Sequence, residues 1–226
     1  MSDLRLVIFD VDGTLSDSQA EIVGAMEAGF AAVGLPAPSR AAIKSIVGLS
    51  LETAIPQLAP QAAAGDHAAI VAAYKAAYRE HRLAAGSAHS PLFPGMADLV
   101  ADLAAEPETL VAIATGKSRR GLDALLETHG IARHFITTQV ADDHPSKPHP
   151  SMILTTLAET GVEASRAVMI GDTTFDIDMA CNAGVAAIGV DWGFHPVEAL
   201  HRARAVVSDA AALRAAIDRL TPLRVA

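Results

Sequence analysis

The sequence predicts an α/β fold in which a doubly wound parallel sheet carries an α-helical segment inserted after its first strand. Three observations predict it. Short apolar runs recur between helical patterns of about 10 to 15 residues, as expected of buried strands crossed over by helices. From about Ser18 to Ala85 there are helical periods and no strand-like run. Hydrophobic residues make up 51% of the chain but aromatic residues only 4%, which suits alanine-rich helical packing better than a β-sandwich.

The elements follow in chain order. Leu4 to Phe9 is a short β-rich run that stops at Asp10, suited to a strand covered on both faces. Ala20 to Val33 reads as a helix ended by Gly34 and Pro36, and Ser39 can cap the next, which Gly48 ends. Asp66 to Leu83 is a third, longer helix with Ile70, Val71, Tyr74, Ala77 and Tyr78 along one stripe. Pro91 and Pro94-Gly95 mark the return to the core. Leu110 to Ala114, Ala167 to Ile170, Ala186 to Val190 and Ala205 to Val207 are the remaining strand-like runs, with helices expected from near Ser118 and over Met152 to Glu159. For 226 residues the expected division is a Rossmann-like core of residues 1–15 and 90–226 with a helical insert of residues 16–89. Ligands of such a sheet bind at the carboxyl ends of its strands.

A net charge of -9 and a pI near 5.4 argue against nucleic acid or an anionic membrane surface as partner. A phosphate-bearing substrate would need positive charge supplied locally. Cys181 is the only cysteine, so no intrachain disulfide is expected. The run Leu6 to Phe9 is too short for a signal peptide. No stretch reaches the roughly 18 apolar residues of a membrane span, and a cytoplasmic location is expected. Nothing in the pattern specifies an oligomeric state.

Four places carry chemistry. In Asp10-Val11-Asp12-Gly13-Thr14, two carboxylates one residue apart at a strand end point into one crevice. Such a pair is costly without a cation, and magnesium, which prefers carboxylate and water oxygens, would offset the repulsion. The competing reading is an ordinary turn rich in Asp and Gly. Gly171-Asp172-Thr173-Thr174-Phe175-Asp176 places a third acid at the same edge of the sheet, and the spacing of Asp172 and Asp176 would put both on one face of a helix starting there. Acids at a helix N-terminus for dipole reasons are the alternative. Thr115 and Gly116 leave the second core strand, where a hydroxyl and a free amide could hold phosphate oxygens. Lys147 sits in a proline-rigid loop, Asp142 to Pro150, and is a candidate for the missing positive charge; an exposed loop lysine is the bland alternative.

Asp10-Val11-Asp12-Gly13-Thr14-Leu15, Thr115, Lys147-Pro148, and Gly171-Asp172 with Asp176 resemble, in order and spacing, the four motifs of the haloacid dehalogenase-like hydrolase superfamily, within its phosphoglycolate phosphatase-like branch. The resemblance covers nearly the whole chain. It implies a magnesium-dependent phosphatase acting on a small phosphorylated metabolite. Asp10 would attack phosphorus to give an aspartyl-phosphate, and Asp12 would act as acid and then base. Asp10, Asp172 and Asp12, the last also through its backbone carbonyl, would hold Mg2+, with Asp176 supporting them from outside the ligand set. Thr115, Gly116 and Lys147 would hold the phosphoryl oxygens.

The insert would be a mobile cap. Within it Gly48-Leu49-Ser50-Leu51 resembles the family's specificity loop, which makes Ser50 a candidate; a helix end followed by a serine cap is the other reading. The acid at Asp12 argues against a dehalogenase and, together with Lys44 and Lys75 read as surface lysines, against a phosphonate hydrolase. A phosphosugar mutase and a non-catalytic phosphate-binding module are the rival readings. His144 and His149 are expected to be loop histidines, Asp17 and Ser18 to cap the first insert helix, and Trp192 to serve packing.

Overall fold

Arg5–Phe9 form strand β1, and all five residues are buried, which a strand tolerates only inside a sheet with helices on both faces. The computed structural model describes residues 4–85 and 90–223. After β1 come helices α1 (Gln19–Ala31), α2 (Arg40–Lys44), α3 (Leu51–Leu58), α4 (Ala64–Ala85) and α5 (Met96–Ala105). Then follow β2 (Thr109–Thr115), α6 (Arg119–His129), β3 (Thr137–Val140), α7 (Ser151–Thr160), β4 (Ala167–Gly171), α8 (Thr174–Asn182), β5 (Ala186–Val190), β6 (Ala205–Val207) and α9 (Ala210–Leu220). The sheet is parallel throughout, in the order β3-β2-β1-β4-β5-β6, the expected doubly wound, Rossmann-like fold.

The period-two alternation of β1 divides the core. Val7 and Phe9 join Leu99, Leu103, Leu122, Leu126, Leu213 and Ile217, which come from α5, α6 and α9 on one face. Leu6 and Ile8 join Met152, Ile153, Ile177 and Met179 from α7 and α8 on the other. Each face of one central strand therefore anchors a separate helical layer. At the amino end of β1, fully buried Arg5 reaches Asp218 at 2.8 Å, Glu106 at 2.7 Å and the Thr109 hydroxyl at 2.8 Å. This clasp joins β1 to both α9 and the end of α5.

Helices α1–α4 share an apolar cluster of their own, with Ile22, Met26, Phe30, Ile43, Ile55 and Ile70 at its centre. The two chain crossings between this insert and the sheet lie side by side: Asp17 N–H donates to Pro91 O at 2.8 Å and Phe93 N–H to Leu15 O at 2.9 Å. The positions expected to bound the insert thus meet in space, although residues 86–89 at its far end lie outside the described residues. Among the described residues no helix is long and apolar enough to cross a membrane.

Three expectations need correction. Strand β3 was not foreseen, because Thr137-Thr138-Gln139-Val140 is short, polar and half-exposed at the sheet edge and shows no apolar run. Helix α3 was not among the three helices named for the insert. Ser18 stands at the N-cap position of α1 without accepting a backbone bond; Asp17 Oδ1 accepts from Gln19 N–H at 3.3 Å instead. Ser39 and Ser118 do cap, accepting from Ala42 and Gly121.

Ile8 is fully buried in the centre of the sheet. Ile8→Ala is expected to cost about 2–5 kcal/mol through lost burial and a residual cavity. Urea unfolding should show a lower midpoint with an unchanged m-value; an unchanged midpoint would mean that this face of β1 contributes little to the fold.

Candidate active site

The strand order reverses direction about β1 and β4, and in open α/β sheets that is where a crevice opens at the carboxyl ends. Phe9 pairs with Ile170, and Asp10 N–H continues the ladder onto Ile170 O at 2.9 Å. The residues that follow β1 and β4 are Asp10 and Asp172, so the two acids adjoin because their strands do. Thr115 ends β2, the other neighbour of β1.

Asp10, Asp172 and Asp176 are buried and offer carboxylate oxygens that all lie within 4.8 Å of one another. Lys147 stands between them with its side chain fully buried, 3.0 Å from Asp10 Oδ1 and 2.6 Å from Asp176 Oδ1. The lysine is no exposed loop residue. Asp172 accepts from the Thr14 hydroxyl at 2.9 Å and from Phe194 N–H at 2.8 Å. Gly13 has φ of +80°, and a Cβ there would fall 2.3 Å from Asp172 Oδ2, so both the turn and the close approach require glycine. Among the described residues neither oxygen of Asp10 has a hydrogen-bond partner, although Lys147 Nζ lies 3.0 Å from Oδ1 as an ion pair. Burial pushes Asp10 up to about 7, against the pull of Lys147 and with the help of Asp176 and Asp12. Burial likewise holds Asp172 well above the ordinary carboxylate range, with Asp176 and Asp10 adding to it. An all-oxygen cluster with unsatisfied, desolvated carboxylates is the donor set that a hard divalent cation fits.

Two expectations about the acids change. The Asp12 carboxylate is outside the cluster; its Oδ1 accepts from Lys117 Nζ at 2.6 Å. The third acid side chain of the cluster is Asp176 instead. Nor do Asp172 and Asp176 share a helix face: Thr173 is the N-cap of α8 and Asp176 its third residue, in a reciprocal capping box. Asp172 precedes the helix and meets Asp176 through the strand end. The capping reading and the site reading of Asp176 are both satisfied, since Oδ2 takes the Thr173 bonds and Oδ1 takes Lys147.

A cavity of about 400 Å³ lies between the insert and the sheet edge, lined by Asp10, Asp12, Thr115, Gly116, Lys117 and Gly48 among others. The insert is seated on the core here. A Cβ at Gly116 would come 2.6 Å from the Gly48 carbonyl oxygen, so only glycine lets the two backbones approach. Ser50 N–H donates to Ser146 Oγ at 2.9 Å, beside the Lys147 loop. Ser50 itself does not line the cavity, whereas Leu49, Leu51 and Glu52 do. Its hydroxyl bonds Thr53 Oγ1 at 3.0 Å and makes no backbone cap.

Sequence reasoning missed Lys117. Its side chain is 7% exposed, and its ammonium also donates to Tyr78 OH, on α4, at 3.0 Å. Burial works against its charge, yet Asp12 and Tyr78 outweigh burial and hold its pKa above the ordinary lysine value. The signal was available in Thr115-Gly116-Lys117: the third residue of a strand exit beside an acidic crevice, in a chain with only 17 Lys and Arg. Phe194 was also missed; its amide reaches Asp172 from a loop whose course no local pattern foretells. Trp192 packs on the core and donates from Nε1 to Thr14 O at 3.2 Å.

A family model described as haloacid dehalogenase-like hydrolase matches residues 7–190. A protein of Dickeya dadantii named "Probable phosphatase IndB" is 40% identical over 201 residues, covering 88% of this chain and 86% of its own. The phosphoglycolate phosphatase of Vibrio parahaemolyticus is 29% identical over 197 residues, covering 85% and 86%. Among solved structures, a haloacid dehalogenase-like hydrolase of Streptococcus pneumoniae superposes with a TM-score of 0.80 at 25% identity, over 96% of this chain and 99% of that one.

The buried carboxylates carry a consequence for stability. A carboxylate whose pKa is higher folded than unfolded favours the fold at low pH and loses that contribution as pH rises through the folded value. For Asp10 the window runs from 3.8 to about 7. Burial of His195 and His134, whose pKa values are lowered, acts in the opposite sense, so the measurement is a difference. Without divalent cations, Asp10→Asn should raise Tm, and the gain should grow as pH climbs through that window. Lys147 keeps its bond to Asp176 in the variant. A gain that does not change with pH would show that ionised Asp10 is not a burden on the fold.

Proposed function

The chain belongs to the haloacid dehalogenase-like hydrolase family, and on that premise we propose that it is a magnesium-dependent phosphatase of a small phosphorylated metabolite, with Asp10 as nucleophile. The observation that carries the reading is the buried carboxylate of Asp10, at a strand end, with both oxygens unsatisfied beside a fully buried lysine. Such an arrangement is costly for folding alone. It makes sense as a site kept ready for a ligand.

In the proposed reaction an oxygen of Asp10 forms a bond to phosphorus as the bond to the leaving oxygen breaks. Asp12 gives its proton to that oxygen and later takes one from the water that attacks the aspartyl-phosphate, returning Asp10 and inorganic phosphate. Lys117 fixes the orientation of Asp12 for both transfers. The Thr115 hydroxyl, the Gly116 amide and Lys147 hold the transferring oxygens, and Lys147 tempers the charge of the nucleophile. Asp10, Asp172 and the backbone carbonyl of Asp12 are the proposed magnesium ligands, with Asp176 beside them. The cation supplies the positive charge that lets crowded carboxylates and a phosphate dianion share one crevice.

Residues 16–89 are proposed to act as a cap over a core of residues 1–15 and 90–226, and the seating of Gly48 over Gly116 supports this. A closed cap keeps bulk water from the phosphoryl group. The relatives named for phosphatase activity support hydrolysis over phosphosugar isomerisation.

The test is turnover of phosphate esters with and without magnesium. Asp10→Asn should lower kcat by about 10³-fold or more, some 4 kcal/mol of barrier at about 1.4 kcal/mol per tenfold. Activity within tenfold of wild type would remove Asp10 as nucleophile. Chelation should stop the reaction and magnesium restore it; full activity in excess chelator would exclude the metal. Release of an isomeric phosphosugar in place of inorganic phosphate would replace the hydrolase reading by a mutase.

A further inference from the structure

The cavity between insert and core carries more positive charge than the proposed chemistry uses. Lys75, Arg79, Arg82, Lys117 and Arg120 all line it, in a chain whose net charge is -9. The lining carboxylates have nearer positive or N–H partners than these arginines: Lys147 lies 3.0 Å from Asp10, Lys117 2.6 Å from Asp12, Lys75 3.1 Å from Glu52 and the Arg119 amide 2.8 Å from Asp142. Among the described residues the side chains of Arg79, Arg82 and Arg120 make no hydrogen bond or ion pair. Three arginines thus line one cavity without a counter-charge among the described residues.

Both helices that present them do so at a local cost. Lys75, Arg79 and Arg82 are spaced four and three residues apart on α4, so they share one face, where like charges repel. Arg120 sits in the first turn of α6, which has no acid there, although a helix N-terminus disfavours cations. Ser118 and Gly121 bring that same N-terminus to the cavity wall. Two independent helices thus oppose their own electrostatics toward a shared space, and an anion seated there relieves both. Apolar residues, among them Ile22, Met26, Leu49 and Leu51, line the same cavity. At about 400 Å³ the space falls within the ~300–1,000 Å³ range of sites that bury drug-sized ligands, well above the needs of a two-carbon leaving group.

The geometry points to a second anion subsite formed by Arg79, Arg82 and Arg120, so that the substrate is a phosphomonoester whose leaving group ends in a carboxylate or second phosphate carried on a mainly apolar body. This rests on the phosphatase reading for the word substrate, but the subsite can be tested by binding alone. Titration calorimetry with magnesium present compares 6-phosphonohexanoic acid with its terminal amide, a pair equal in length that differs in the distal charge. Wild type should bind the acid at least tenfold more tightly. In Arg82→Gln/Arg120→Gln that ratio should fall below threefold, and in wild type it should shrink as salt is raised. Equal affinities in wild type, or a preference that survives the double substitution, overturn the subsite. Turnover of the corresponding phosphate esters is measured separately. A preserved Kd ratio without phosphate release would sink the phosphatase reading and leave the subsite standing.

Discussion

The structure depends on one compensation: a lysine with no solvent exposure of its side chain held between two buried carboxylates. Each of the three groups would be costly to bury alone. Together they still leave Asp10 with two unsatisfied oxygens and Asp172 pushed up by burial and by its acidic neighbours. Three buried carboxylates share a single buried lysine. That crowding lies where β1 and β4, the central pair of the sheet, meet. The same packing that stabilises the fold maintains the strain at its edge.

The insert is coupled to that edge by main-chain contacts as well as by side chains. Gly48 O lies over Gly116, and Ser50 N–H is held by Ser146, close to the loop that delivers Lys147. Tyr78 on α4 reaches Lys117, which in turn holds Asp12. Displacing α1–α4 from the sheet would therefore remove a partner of the lysine that orients Asp12. In the proposed reaction, water exclusion and the orientation of the proton donor change together.

Charge is distributed unevenly for a chain that is acidic overall. The acid cluster and Asp12 lie at the sheet edge, while Arg79 and Arg82 from α4 and Arg120 from α6 line the same cavity. In the proposed subsite, selectivity would come from the separation between the two anionic ends of the ligand, a distance set by the insert together with α6.

Local pattern alone determined much of this protein. The apolar runs located five of the six strands, because a strand buried on both faces must be apolar throughout. Glycine and serine located most helix ends; Asp10, Thr115 and Asp172 were legible because each stands at or near a strand exit, and Lys147 because prolines hold its loop in a chain poor in basic residues. Tertiary structure decided the rest. Strand β3 is polar and at an edge, so its identity comes from pairing with β2 and not from its own residues. Asp176 replaced Asp12 in the acid cluster because side-chain direction beyond a strand end depends on the loop, where period-two alternation no longer holds. Lys117 and the three arginines acquired their meaning only when α4 folded over β2 and α6, since residues some 40 positions apart share a cavity through packing, and sequence spacing carries no information about that distance.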